Sequence, residues 1–322
     1  MVTDIMLTVY YKEDKKIETD VTITQLEKIN LEELLWIDLL APTPEERKVV
    51  EELLSIKFLT RQQAEEIEST SKYSESFDHI YVNTNYYIDK GKTYETEPVS
   101  FIINQNGLLV SYHQLKLSAL NDVATKLKLR PDENKTGYGV FMTIFESFID
   151  YDADMEELLT REITRLSKVI TSSSNIDKAI LHRINELQEK STALREDVYD
   201  VERIVSGLLR SQRFLKESDT RISLMLKDAE SLINHGDISF ARLDYLQDTA
   251  MGLINIEQNE IMKILSIAAV VFMPPTLIAS IFGMNFKYMP ELESTLGYPT
   301  VIVVSLLIAI GGIIYFKKKK WL

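Results

Sequence analysis

The chain has 322 residues, a formal net charge of −13, no cysteine and four scattered histidines, His79, His113, His182 and His235. The absence of cysteine excludes a disulfide framework, a thiolate zinc site and a cysteine nucleophile, and the histidines have no metal-ligand spacing. The acidic balance argues against nucleic acid as a partner and favours attraction of cations.

From the amino terminus, Met1–Tyr11 has an early Asp4 and strand-like alternation instead of a basic region and an apolar core, so no cleavable signal peptide is expected. Strand-like runs at Ile5–Tyr11, Leu35–Leu39, His79–Ile88, Val99–Ile103 and Leu108–Tyr112 alternate with helical ones. This pattern predicts an α/β domain over residues 1–135. Thr43-Pro44-Glu45-Glu46 announces a helix, with a threonine N-cap, proline in the first turn and a glutamate three residues on. Asn104-Gln105-Asn106-Gly107, between two apolar runs, reads as a hairpin turn.

Past Gly139 the strand signals stop and heptad-like helical patterns take over, with breaks near residues 171–175 and 217–220. Residues 136–260 are therefore expected to hold long helices. The last would start near Ser218-Asp219-Thr220 and run without proline to Met273, a rod of roughly 80 Å at the usual helical rise.

Residues 261–322 are expected to be a membrane domain. Ile261–Ile281 holds one charge, Lys263, and Pro299–Phe316 holds none, so each is long and apolar enough to cross a bilayer. The predicted order is a span at about 261–281, an external loop at about 282–298, a span at about 299–316 and a basic tail at 317–322. Lysines flank both outer ends (Lys263 and Lys317–Lys320), which places both termini in the cytoplasm of a multi-pass protein of the cell membrane. The region carries six Lys and two Glu, net +4, which against −13 for the chain leaves −17 for residues 1–260.

Heptads counted back from Gly283 give Thr276, Ala269, Met262, Asn255 and Asp248; their companions are Ser280, Met273, Ser266, Asn259 and Gly252. This stripe is small, polar or flexible, while the rest of the first span is mostly Ile, Leu, Val and Phe. One helix cannot enclose a channel, so such a stripe conducts only when several copies face a common axis. Small residues on one face also serve plain helix packing, and Gly283 also suits a helix C-cap. Glu230, Asp237 and Asp244 recur every seven residues upstream, with Asp248 in phase with the stripe; they suit either an acidic seam between subunits or a solvated face.

Gly283-Met284-Asn285 at the end of the first span, then Met289-Pro290-Glu291-Leu292, Gly297-Tyr298-Pro299 and a final span ending in Lys317-Lys318-Lys319-Lys320-Trp321-Leu322, resembles the CorA family of magnesium transporters. Trp36-Ile37-Asp38-Leu39 with Pro42-Thr43 is similar to that family's cytosolic domain. The resemblance implies a homopentameric, funnel-shaped channel: an α/β cytosolic domain, long stalk helices and two C-terminal transmembrane helices. It implies a selectivity filter at Gly283, Met284 and Asn285, with Asn285 capturing the ion, and pore positions at Asn259, Met262, Leu265, Met273 and Thr276. Asn255, Ala269 and Ser280 join these from the stripe alone. Glu291 would attract cations to the external loop, but Lys287 stands where the family often has an acid and weakens that attraction. Transported and regulatory Mg2+ is the implied ion, with Co2+ and Ni2+ as companions and no organic cofactor. The resemblance also implies inhibition by cytosolic Mg2+ bound between subunits, without assigning its ligands; Asp248, Asp244, Asp237 and Glu230 are the candidates that the heptad spacing offers.

Mg2+ is small and gives up water reluctantly, so a ring of amide oxygens can hold its hydrated form without stripping it. No glycine-rich phosphate loop and no nucleophile paired with a base stand in the sequence, so neither ATP dependence nor an enzyme is expected. Two other readings stay open: passage of a different divalent cation (Co2+, Ni2+ or Zn2+ efflux), and a membrane-anchored scaffold or sensor that conducts nothing.

Overall fold

The computed structural model describes residues 7–13, 16–20, 30, 32–58, 72–91, 93–172, 177–211, 213–214, 219–284, 287, 289–290, 294, 296–319 and 321. It divides into two compact units, Met1–Thr171 with Lys178–Leu246, and Ser172–Asp177 with Gln247–Leu322.

The first unit is built on a seven-stranded sheet of β1 (Leu7–Glu13), β2 (Lys16–Asp20), β3 (Leu34–Leu40), β4 (Tyr73–Glu75), β5 (His79–Asp89), β6 (Tyr94–Asn104) and β7 (Leu109–His113). Its order is β2-β1-β3-β7-β6-β5-β4. Every neighbouring pair is antiparallel except β3 and β7, whose parallel register sets Asp38 opposite Ser111. The predicted turn joins β6 to β7: Asn104 N–H donates to Leu108 O at 3.1 Å, and Gly107 takes φ 78°, a left-handed value that glycine adopts at no steric cost.

Both faces of the sheet are covered. On one, Ile37, Leu39, Ile102 and Val110 pack with Val50 and Leu54 of α1 (Pro44–Leu54). That helix starts as expected: Thr43 Oγ1 accepts the Glu46 N–H at 3.2 Å and Glu46 Oε2 accepts the Thr43 N–H at 2.8 Å, a closed capping box. On the other face, Trp36, Val82, Phe101 and Ile103 pack with α2 (Ser118–Leu129), α3 (Gly137–Ser172) and α4 (Lys178–Leu208). Phe141, Phe145 and Phe148 recur at helical spacing on α3, and all three rings meet Phe101. Helix α5 (Asp219–Phe282) is one unbroken 64-residue element that begins in this unit, where Ile222 and Met225 join the same core.

The parallel strand pair is tied by side chains as well as by its ladder. Trp36 Nε1 donates to Ser111 Oγ at 2.8 Å, Ser111 donates to Asp38 Oδ1 at 2.5 Å, and His113 Nε2 lies 3.0 Å from the same oxygen. His113 Nδ1 lies 2.7 Å from Leu115 O. A carbonyl and a carboxylate both accept only, so each ring nitrogen must carry hydrogen and His113 is an imidazolium. Burial works against that charge, but hydrogen bonding and attraction from Asp38 outweigh it and hold the His113 pKa above its ordinary value.

The second unit comprises the rest of α5 and α6 (Gly297–Lys318). Both are long and apolar enough to cross a membrane. α5 continues through Pro274 and Pro275, whose missing N–H groups leave the carbonyls of Val270 and Val271 without their usual helical donors.

A raised histidine pKa stabilises the fold fully below the unfolded value of about 6.5, and that stabilisation is lost as pH rises through the folded value. Denaturant unfolding of the full chain should therefore show a midpoint that falls as pH climbs above about 6.5. Asp38→Asn should flatten this dependence and cost about 3 kcal/mol at neutral pH, the effect of stripping a buried charge of its partner; an unchanged profile would show that His113 is not charged.

Candidate functional site

Helix α5 presents two opposite faces within the second unit. With Val271 set at zero and a turn of about 100° per residue, Ile267, Pro275 and Ile278 fall within about 40° of it. This is the face that meets α6: Ile267 and Val271 are buried, and a Cβ built on Gly312 would lie 3.3 Å from the Val271 side chain. Toward the carboxyl end of α5 the same side borders an apolar cavity of about 580 Å³ whose lining includes Pro275, Ala279 and Phe282 opposite Tyr298, Ile302 and Leu306.

The stripe lies across the helix from that contact. Met262 and Ser280 fall at about 180°, Asn255, Ala269 and Met273 at about 160°, Thr276 at about 140°, and Leu265 and Asn259 at about 120°. All eight are exposed, with Met273 at 67%, Met262 at 61% and Leu265 at 59%. α6 thus covers one side of α5 and leaves the small and polar side bare.

Two hydroxyls on this side have a settled geometry. Thr276 Oγ1 donates to Phe272 O and Ser266 Oγ donates to Met262 O, each at 2.8 Å. With the hydroxyl hydrogen turned back to the helix, the oxygen lone pairs face outward as acceptors. An acceptor without a free donor suits the water shell of a cation.

The helix ends at Phe282, and Gly283 N–H is shared between Ala279 O at 3.0 Å and Ser280 O at 3.2 Å. Gly283 does not take the left-handed conformation of a glycine cap; among the described residues only Gly91 and Gly107 are glycines with positive φ. A Cβ there would lie 3.3 Å from Ala279 O, so the close approach is to its own helix end. Met284 is 48% exposed, and Asn285 and Glu291 lie outside the described residues.

The acids upstream are divided. Asp237 pairs with Arg195 of α4 at 3.0 Å, and Asp244 accepts from Gln188 of α4 at 2.8 Å. Glu230 and Asp248 are exposed. Among the described residues no group of three or more His, Asp or Glu side chains is arranged to hold a metal, so these four do not converge within one chain. Arg195 and Gln188 went unnoticed in the sequence, where they stand 42 and 56 residues from the acids they meet and share no motif with them.

A family model described as "CorA-like Mg2+ transporter protein" matches residues 32–318. The chain is 32% identical over 294 residues to a protein of Wolinella succinogenes named "Magnesium transport protein CorA", covering 90% of this chain and 91% of the relative. It is 31% identical over 299 residues to a protein of the same name from Salmonella typhimurium, covering 92% and 94%. Among solved structures, "The complete structure of CorA magnesium transporter from Methanocaldococcus jannaschii" matches over 100% of both chains at 20% identity with a TM-score of 0.80.

The α5–α6 contact can be tested with two adjacent glycines. Gly312→Leu should wedge the helices apart and destabilise the protein by about 1–3 kcal/mol. Gly311→Leu, at a position whose added Cβ meets nothing within 4 Å, should be near neutral. Thermal unfolding in detergent would distinguish the two, and equal effects would refute the contact.

Proposed function

The chain belongs to the family of CorA-like Mg2+ transporter proteins, and from that membership we propose that it is a homopentameric channel carrying hydrated Mg2+ into the cytoplasm. Residues 1–135 would form its cytosolic α/β domain, 136–260 the long-helix region and 261–322 the membrane domain, with both termini cytoplasmic. The observation that carries this reading is the bare small and polar face of α5, opposite the face that α6 covers. In hydrocarbon such a face is unfavourable unless other copies of the helix surround a wet axis with it.

The path runs from Asn285 past Ser280, Thr276, Met273, Ala269, Leu265, Met262, Asn259 and Asn255 to Asp248. Asn285 is proposed to capture the ion through its water shell, with Gly283 and Met284 shaping the filter. Neutral amides hold hydrated Mg2+ and still release it, as conduction requires. Met262 and Leu265 form the narrow apolar zone. Glu291 draws cations to the mouth against Lys287. An inside-negative potential of 100 mV supplies about 5 kcal/mol for a divalent ion, enough to drive entry without ATP. Co2+ and Ni2+, hard enough to share amide and water ligands, are proposed as further cargo.

Regulation is proposed at Glu230, Asp237, Asp244 and Asp248 between neighbouring copies. Cytosolic Mg2+ would bridge these carboxylates and favour the closed assembly; its loss would leave them repelling. Arg195 and Gln188 weaken the seam by engaging two of its members from within the same chain.

In liposomes loaded with a Mg2+ indicator, the protein should admit Mg2+, and Asn285→Ala should slow entry at least about tenfold, a loss of roughly 1.4 kcal/mol. Normal flux in that variant would reject the filter assignment. The cysteine-free chain allows a sharper check: Thr276→Cys should react with a water-borne thiol reagent and lose flux, whereas Ile302→Cys, on the α6 side, should do neither. Replacing Asp237, Asp244 and Asp248 together by Asn should raise the internal Mg2+ needed for inhibition several-fold; an unchanged requirement would place the sensor elsewhere.

A further inference from the structure

The first unit holds a buried acid pair that transport does not use. Asp152 of α3 and Asp197 of α4 are 2% and 4% exposed and interact with one another. Asp197 Oδ2 accepts the main-chain N–H of Tyr87 on β5 at 2.8 Å, but Oδ1 of each aspartate is buried without a hydrogen-bond partner. Tyr87 itself packs with Ala193 and Leu194 of α4 and with Tyr151 and Met155 of α3.

The neighbouring charges do not neutralise this pair. Lys72 attracts Asp197, but its ammonium sits 3.1 Å from Asp200, one turn along α4. Lys190 is taken by Asp89 of β5 at 2.6 Å. The hydroxyls of Tyr86 and Tyr87 on β5 and of Tyr151 on α3 are held protonated by burial. A metal ion in the gap would need more ligands, and no group of three or more candidate side chains is present among the described residues. Two buried carboxylates without an ion-pair partner among the described residues cannot both ionise cheaply.

We propose that Asp152 and Asp197 jointly hold one proton, and that this proton latches α3 and α4 onto β5, so that the cytosolic domain loosens as the cytosol turns alkaline. That proton keeps one of the two acids neutral, so that the buried site holds a single negative charge. When that proton leaves to water, two adjacent carboxylates remain and repel across the α3–α4 seam. The same helix α4 holds α5 through Arg195 and Gln188, so the latch lies between the sheet and the acidic stretch of α5.

The direction of the pH effect follows from burial, which raises both groups and pushes Asp197 up to about 8. A raised folded value means that stabilisation is complete below the ordinary aspartate value of about 3.9 and is lost as pH rises through the folded one. Between these limits one linked proton lowers the folding constant by up to about tenfold per pH unit. His113 acts in the same direction above about pH 6.5, so the pair is isolated by the difference between wild type and variant.

Infrared difference spectroscopy of the full-length protein in detergent should show the carbonyl stretch of a buried protonated carboxylic acid at neutral pH, fading as pH approaches about 9. Exchange of the Tyr87 amide should speed up over the same interval. Asp152→Asn keeps the shape and removes the shared proton, so it should abolish the infrared band and flatten the stability profile relative to wild type. Asp200→Asn should keep the band, because its partner is Lys72. The absence of a protonated-acid band in the wild type at neutral pH would overturn the proposal even if Asp152→Asn did not fold, and parallel stability profiles for wild type and Asp152→Asn would overturn it as well.

Discussion

In hydrocarbon a helix must account for every polar group on its surface, and this demand governs the carboxyl-terminal third of α5. Intrahelical bonds satisfy its backbone, and Ser266 and Thr276 turn their hydroxyl hydrogens back onto it. On the side away from α6, acceptor oxygen, amide and thioether stay exposed alongside Leu265. α6 takes the other side, where Gly312 lets the backbones approach at Val271. A pair of helices arranged this way has two unlike surfaces: the apolar one suits lipid, and the small and polar one does not.

The first unit shows the complementary problem of charges kept away from water. Its sole parallel strand pair is joined by Trp36, Ser111, Asp38 and His113, a chain of donors and acceptors with every hydrogen assigned by its neighbours. Asp152 and Asp197 lack such a chain, and burial drives them toward sharing a proton. Both arrangements keep a cluster neutral or paired in low dielectric, and each depends on a proton that leaves as pH rises.

Much of this architecture could be read from the chain. Thr43-Pro44-Glu45-Glu46 and Asn104-Gln105-Asn106-Gly107 are local signals whose geometry is decided within a few residues, and both appear as expected. The breaks near 171–175 and 217–220 match helices ending at Ser172 and starting at Asp219. β2 and β4 were missed because Lys16–Asp20 and Tyr73–Glu75 are short and polar edge strands, stabilised by one neighbour each instead of by an apolar pattern. α2 was passed over because Ser118–Leu129 has no side-chain cap to announce it.

The sequence was enough to establish two long apolar helices, a small and polar stripe between Asn255 and Ser280, and an acidic portion ahead of them, because each depends only on residue type and spacing along the chain. Tertiary structure alone decided that α6 packs opposite the stripe, that Asp237 and Asp244 are engaged by α4, and that Asp152 and Asp197 are buried near enough for one charge to act on the other. Those facts depend on groups dozens of residues apart meeting across elements. No local pattern encodes such a meeting, since the free energy that selects it comes from packing and desolvation of the whole core.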